Sequence, residues 1–294
     1  MQLTRPVAAA LAVVAVLSTL AHAHEFWIQP SSFRPPPNTV LKVDLRIGDT
    51  LPGESFPRKG SIIENFAIHG PDDRVQEIVG RDAQSPAGLV RIVTPGVHVL
   101  GYRSKPSSVE LEPVKFEHYL KDKGLEKVVD ARAAADQSKA NGREMFSRAA
   151  KCIVRTQDAT GSRGFDRILG YTLELVPLND PTSLKSDEPL IVKLLYKDKP
   201  ATGLLVIARN FADPTSVISA RTGADGRASL LLPKSGEWIV SAVEMVKAPE
   251  GLTIGVVKPE WESLWASLTF QTPDWPTTTP TTTAAETPKK EARP

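Results

Sequence analysis

Val40-Leu41-Lys42-Val43-Asp44-Leu45-Arg46-Ile47 alternates apolar and polar residues from Leu41 onward. Successive side chains of an extended chain point to opposite faces, so Leu41, Val43, Leu45 and Ile47 share one. The stretch therefore predicts a strand with one buried face. Short runs at 62–69, 74–79, 88–93 and 97–103 read as further strands. Gly70-Pro71-Asp72-Asp73 and Thr94-Pro95-Gly96 are turns between them, since proline presets φ and an aspartate side chain bonds the bend. Strands this short, this closely spaced, predict a β-sandwich.

Working outward, the segment 113–151 changes period. Phe116, Leu120, Leu125, Val128 and Val129 recur near helical spacing, 131–140 is alanine-rich, and Gly142-Arg143-Glu144-Met145-Phe146 is expected to open another short helix. Cys152, in Ala149-Ala150-Lys151-Cys152-Ile153-Val154, is expected at a strand start as a buried, inert thiol. A second β-rich unit follows, with strands at 171–177, 190–195, 204–208, 228–232, 236–246 and 264–271 and an Asp-Gly turn at Asp225-Gly226. The expected fold is mainly β: two Ig-like β-sandwich domains, 24–165 carrying the helical segment 113–151, and 166–271. Residues 272–294 are rich in Pro, Thr and Lys and should form a disordered tail, because they bury too little to offset the entropy of ordering.

Upstream, residues 1–23 read as a signal peptide. Arg5 supplies the positive region, 7–20 the apolar core, and Ala21-His22-Ala23 the small-x-small cleavage site. The apolar run is too short for a permanent spanning helix, and no later stretch qualifies. The expected mature chain begins at His24 and lies in the periplasm or outside the cell. The full sequence holds 36 basic and 34 acidic residues, a balance of +2 that falls to +1 without Arg5. So even a balance excludes nucleic acid and anionic membrane as main partners. Cys152 is the only cysteine, so no intramolecular disulfide exists and an apolar core must hold the fold.

The chemistry-bearing residues are few. Cleavage after Ala23 gives His24 a free α-amine beside its imidazole, two nitrogen donors that together chelate Ni, Co or Cu. Phe26 in the third mature position rules out the square-planar amino-terminal copper and nickel motif, which needs histidine there. His98 lies opposite Val97 and Val99 on its strand: if the valines face the core it is left on an outer face, open to a ligand, and the alternative is an ordinary hydrogen-bonded strand histidine. Glu244 and Met245 near a strand end could complete a site. His69 is placed at a solvated rim and His118 on the helix surface. Phe26, Trp27, Trp238, Trp261 and Trp265 read as core, with a sugar-stacking surface as the alternative. There is no Gly-x-Ser-x-Gly elbow, phosphate-binding glycine loop or Cys–His pair, so no enzyme is expected. A copper oxygenase would need His98 to face His24 across the metal.

Several stretches carry a resemblance: His24-Glu25-Phe26-Trp27 with Pro30, 95–104, Leu173-Glu174-Leu175-Val176-Pro177, 222–227 and 261–270. Together they resemble a family of exported bacterial proteins of unknown function, labelled NikM-like and associated with nickel uptake. The resemblance implies a periplasmic two-part β-sandwich linked to nickel or cobalt acquisition. Relatives tend to have His-Met where this chain has Glu244-Met245, and a carboxylate there shifts preference toward harder metals. The expected function is binding of Ni, Co or Cu through His24, with His98 and Glu244 as further ligands, and delivery to a membrane uptake component. The alternative is an envelope scaffold or adhesion module that binds a protein or glycan.

Overall fold

The computed structural model describes residues 24–275. The expected signal peptide, and the tail beyond Trp275, lie outside the described residues. In chain order the first half comprises β1 (Glu25–Pro30), β2 (Val40–Gly48), β3 (Glu54–Ser55), β4 (Ile63–His69), β5 (Val75–Glu77), β6 (Gly88–Arg91), β7 (Val97–Ser104) and β8 (Ser107–Leu111). Helices α1 (Pro113–Asp122) and α2 (Glu126–Ala134) follow, then β9 (Gly142–Arg155). The second half comprises β10 (Leu173–Pro177), β11 (Leu190–Tyr196), β12 (Lys199–Pro200), β13 (Leu205–Asn210), β14 (Val217–Arg221), β15 (Arg227–Leu230), β16 (Glu237–Lys247) and β17 (Trp261–Gln271).

The protein is mainly β and of the sandwich class. Leu41, Val43 and Leu45 of β2 are buried, as the alternation requires. Among the described residues the strands form three sheets: β1, β2, β3 and β6; β10, β11, β12 and β15; and a nine-stranded sheet ordered β14-β13-β16-β17-β9-β7-β4-β5, with β8 on β9. Alternation along the nine-stranded sheet assigns its two faces. Leu100 and Tyr102 of β7, with Ala150, Cys152 and Val154 of β9, pack against the β1–β2 sheet. Val97, Val99 and Ile153 point the other way, into a core built with β10, β11 and β15. Two sandwich cores thus sit on opposite faces of one shared sheet.

The joint is β17. It pairs antiparallel with β16 and parallel with β9, from Trp261↔Glu144 to Thr269↔Cys152. The division expected at residues 165 and 166 separates β9 from β10 along the chain, yet the sheet runs continuously across it. Thr269 Oγ1 donates to the Ile28 carbonyl at 2.7 Å and Ser267 Oγ to the Phe26 carbonyl at 2.7 Å, fastening β1 to the final strand as well.

Two expectations are corrected. The helical segment ends at Ala134 and does not reach 151; Gly142-Arg143-Glu144-Met145-Phe146 opens the long strand β9. Both faces of β9 are covered in this region, so Glu144, Met145 and Phe146 are all buried and the period-two signal is lost. A Cβ on Gly142 would stand 2.2 Å from the Phe116 ring, so only glycine lets the strand cross α1 so closely. The start of the expected tail is also anchored. Thr272 N–H donates to the Gly236 carbonyl at 3.0 Å, and Trp275 Nε1–H donates to the Leu184 carbonyl at 2.8 Å. Trp275 packs on the core beneath it, which offsets the entropy of holding these residues.

Candidate functional site

The helices create the site. Phe116, Tyr119 and Leu120 of α1, with Leu125 and Val128, pack on Phe146, Val243, Met245, Trp261 and Trp265. Tyr119 stacks on Trp265, with ring centroids 5.5 Å apart and planes at 15°. That leaves the other face of α1 looking across a gap toward β13 and β14. The gap is a cavity of about 560 Å³. Leu205 and Ile207 of β13, Val217 of β14 and Leu111 of β8 supply apolar wall.

Its polar lining falls into two groups. At the mouth are two histidine–carboxylate pairs, His24 Nε2 to Asp49 Oδ2 at 3.3 Å and His118 Nε2 to Asp122 Oδ2 at 3.3 Å. On the floor are Lys123 and Arg209, held from behind by Glu25, which is 3% exposed, does not itself line the cavity and accepts three bonds at Oε1. Lys123 Nζ donates at 2.8 Å, Arg209 Nη1 at 2.6 Å and Ser241 Oγ at 3.0 Å. Burial pushes the Glu25 carboxyl up, but the two cations and their hydrogen bonds outweigh it and hold the group below its ordinary value. The carboxylate is therefore ionised at neutral pH, with two cations facing one anion.

Glu25 also fixes its neighbour. It draws partners from the end of α1, from β13 and from β16, and it pairs with Gly48 in the β1–β2 register. Residue 24 is one peptide away, so the His24 ring is carried on an anchored strand at the cavity wall. The loop beyond β2 closes over the same strand. A Cβ on Gly53, whose φ is +66°, would lie 2.3 Å from the Trp27 ring.

The sequence-derived candidates are not brought together. His98 is 5% exposed, and its Nε2 lies 2.8 Å from the Thr94 carbonyl, beside Gly70. It does not sit on an outer face, because sheet packing covers β7 on both sides. Burial lowers its pKa, so the ring is neutral near pH 7. Glu244 is partly buried, accepts the Met245 N–H at 2.9 Å, and its pKa is raised by burial. Neither lines the His24 cavity. Met245, Phe26, Trp27, Trp238, Trp261 and Trp265 are all buried in the cores. Among the described residues no three His, Cys, Asp or Glu side chains are grouped closely enough to hold a metal ion unaided.

Sequence reasoning missed His118, Asp122, Lys123 and Arg209 as cavity residues. The helical spacing His118-x-x-x-Asp122 was the available signal, since residues four apart share one helix face. Nothing in the sequence said which face would look into a cavity and which into solvent.

Fold and cavity together define a β-sandwich protein with a polar cleft at its helix-covered end. The chain belongs to the family described as Domain of unknown function (DUF4198), which matches residues 21–245. The match ends before β17, the strand that completes the middle of the large sheet. No curated protein matches the chain. Among the described residues no helix is long and apolar enough to cross a membrane.

Proposed function

We propose that the mature protein binds a divalent transition metal as cargo in this cavity, without catalysing a reaction. Ni or Co is the first choice and Cu the second. Delivery would be to a membrane uptake component, from the periplasm or cell exterior reached by cleavage after Ala23. One observation carries the reading: His24, the residue that cleavage would turn into a two-nitrogen donor, lines the same cavity as His118, Asp49 and Asp122. Imidazole and carboxylate are the donor types that these metals accept. His24 is kept from the sequence-derived ligands, and His118 takes the place proposed for His98 and Glu244.

The test is a titration of Ni²⁺ and Cu²⁺ into mature protein whose first residue has been verified by mass spectrometry. His24→Ala is expected to weaken binding by about tenfold or more, as loss of a metal-supporting group commonly does. Affinity should also fall as pH drops below about 8 and more steeply below about 6, because metal must displace protons first from the amine and then from imidazole. Equal affinity of His24→Ala and the parent protein would overturn the metal reading in favour of the envelope scaffold.

A further inference from the structure

The cavity is much larger than a bare ion requires. Six waters around a divalent ion occupy roughly 180 Å³ at about 30 Å³ each, against about 560 Å³ here. That volume lies in the range of about 300–1,000 Å³ typical of organic-ligand pockets. Its lining is also divided. The donors suited to a metal, His24 and His118, are at the mouth, whereas Arg209 and Lys123 lie on the floor and share a single carboxylate, that of Glu25. At that end two cations thus face one buried anion, while Asp49 and Asp122 lie at the mouth with the histidines and Lys115, paired with Glu112, also lines the cavity. A guanidinium presents five donors, and Glu25 engages Arg209 through Nη1. A metal ion alone would meet these cations as a repulsion, and no feature of a bare-ion site calls for them.

Resting on the metal reading above, we propose that the cargo is a metal chelate of a small polycarboxylate. The ion sits against His24 at the mouth, and a carboxylate of the chelator reaches down to Arg209 and Lys123. The chelator then fills coordination positions that protein side chains leave open, and it gives the floor cations a second anion. The apolar walls at Leu205, Ile207 and Val217 pack against its carbon frame.

Equilibrium dialysis of the mature protein with radiolabelled citrate as the probe, with and without Ni²⁺, tests the proposal. About one citrate per chain should be retained with nickel, and at least tenfold less without it. Arg209→Gln should cut nickel-dependent citrate retention about tenfold. Arg209 holds a buried partner, so circular dichroism must accompany that variant; the comparison on the parent protein stands without it. Nickel retained as tightly without citrate as with it would overturn the chelate and leave a bare-ion site. Citrate retained equally without nickel would overturn it in favour of a simple anion site. Retention of neither would instead sink the metal reading on which the chelate rests.

Discussion

Two carboxylates near α1 are about equally buried and oppositely treated. Glu25, behind the cavity floor, has two cations and a hydroxyl on one oxygen, and its pKa is held below the ordinary 4.5. Glu144, under Tyr119, has one bond from Ser263 Oγ at 3.1 Å, and its Oε2 has no hydrogen-bond partner among the described residues. Burial raises its pKa from 4.5 to about 8, only partly countered by the Ser263 bond, by Arg148 and by the nearby Tyr119 hydroxyl. Arg148 is itself half-buried, over the Phe146 ring at 4.5 Å, and desolvation brings its pKa down to about 10. Depth alone thus does not decide whether a buried acid is charged; the donors and cations within hydrogen-bond reach do. The cavity side is built as a fixed ionic floor, and the side under Tyr119 as a neutral acid at pH 7.

The sharpest way to break the contrast is Glu25→Ala. It leaves Lys123 and Arg209 without their shared anion and should cost about 3–5 kcal/mol in urea unfolding, the usual result of removing one member of a buried ionic cluster. A loss within about 1 kcal/mol would show that the floor is wetter than its burial implies. Acid should mimic this change. A carboxyl with a lowered folded-state pKa stabilises above 4.5, and that contribution disappears as pH falls through its folded-state value.

Glu144→Gln should go the other way. Between pH 4.5 and about 8 the folded chain holds a proton on Glu144 that the unfolded chain has lost, so stability falls as pH rises through this window. The glutamine variant carries no such penalty. Its advantage over the parent should be near zero at the acid end and reach a few kcal/mol, on the order of the shift itself, above about pH 8. A flat difference across this range would show that the two carboxylates behave alike.

Ser263→Ala is a milder test. The hydroxyl donates to Glu144 and accepts from Trp265 Nε1–H at 3.1 Å, so its loss should cost about 1–2 kcal/mol and move the Glu144 transition to higher pH. Smallest is Glu126→Gln, which breaks a partly exposed pair with Arg221 across the far edge of the helical layer. Screening keeps such pairs below about 1 kcal/mol, and the thermal midpoint should barely move.

How far the chain could be read depended on whether one face or two were covered. β2 was legible because one side is buried and the other is not, which leaves a clean alternation at Leu41, Val43 and Leu45. The Asp225-Gly226 bend was legible from local chemistry, and the Gly226 N–H does donate to the Gly223 carbonyl at 2.9 Å. At β9 the first turn's worth of residues is buried on both sides, so Glu144-Met145-Phe146 mimics a helix start. The burial of Trp261 and Trp265 could be expected from residue type alone. His98 is the hydrogen-bonded strand histidine that the sequence allowed, and its outer-face reading fails because a core facing the opposite side of β7 belongs to another sheet, which the local pattern of valines does not announce.

The sequence by itself determined a mainly β chain with a helical excursion after Pro113, held by an apolar core without disulfides, and it offered His24, next after a small-x-small pattern, as a candidate ligand. Those are properties of neighbours along the chain: alternation, turn residues, cysteine count, a cleavage pattern. Only the tertiary structure decided that β17 returns to pair with β9, that one sheet serves two cores, and that His118, Lys123 and Arg209 gather around His24 and Glu25. Each of these depends on contacts between residues far apart along the chain, where packing and charge compensation choose among arrangements that local preference leaves equal.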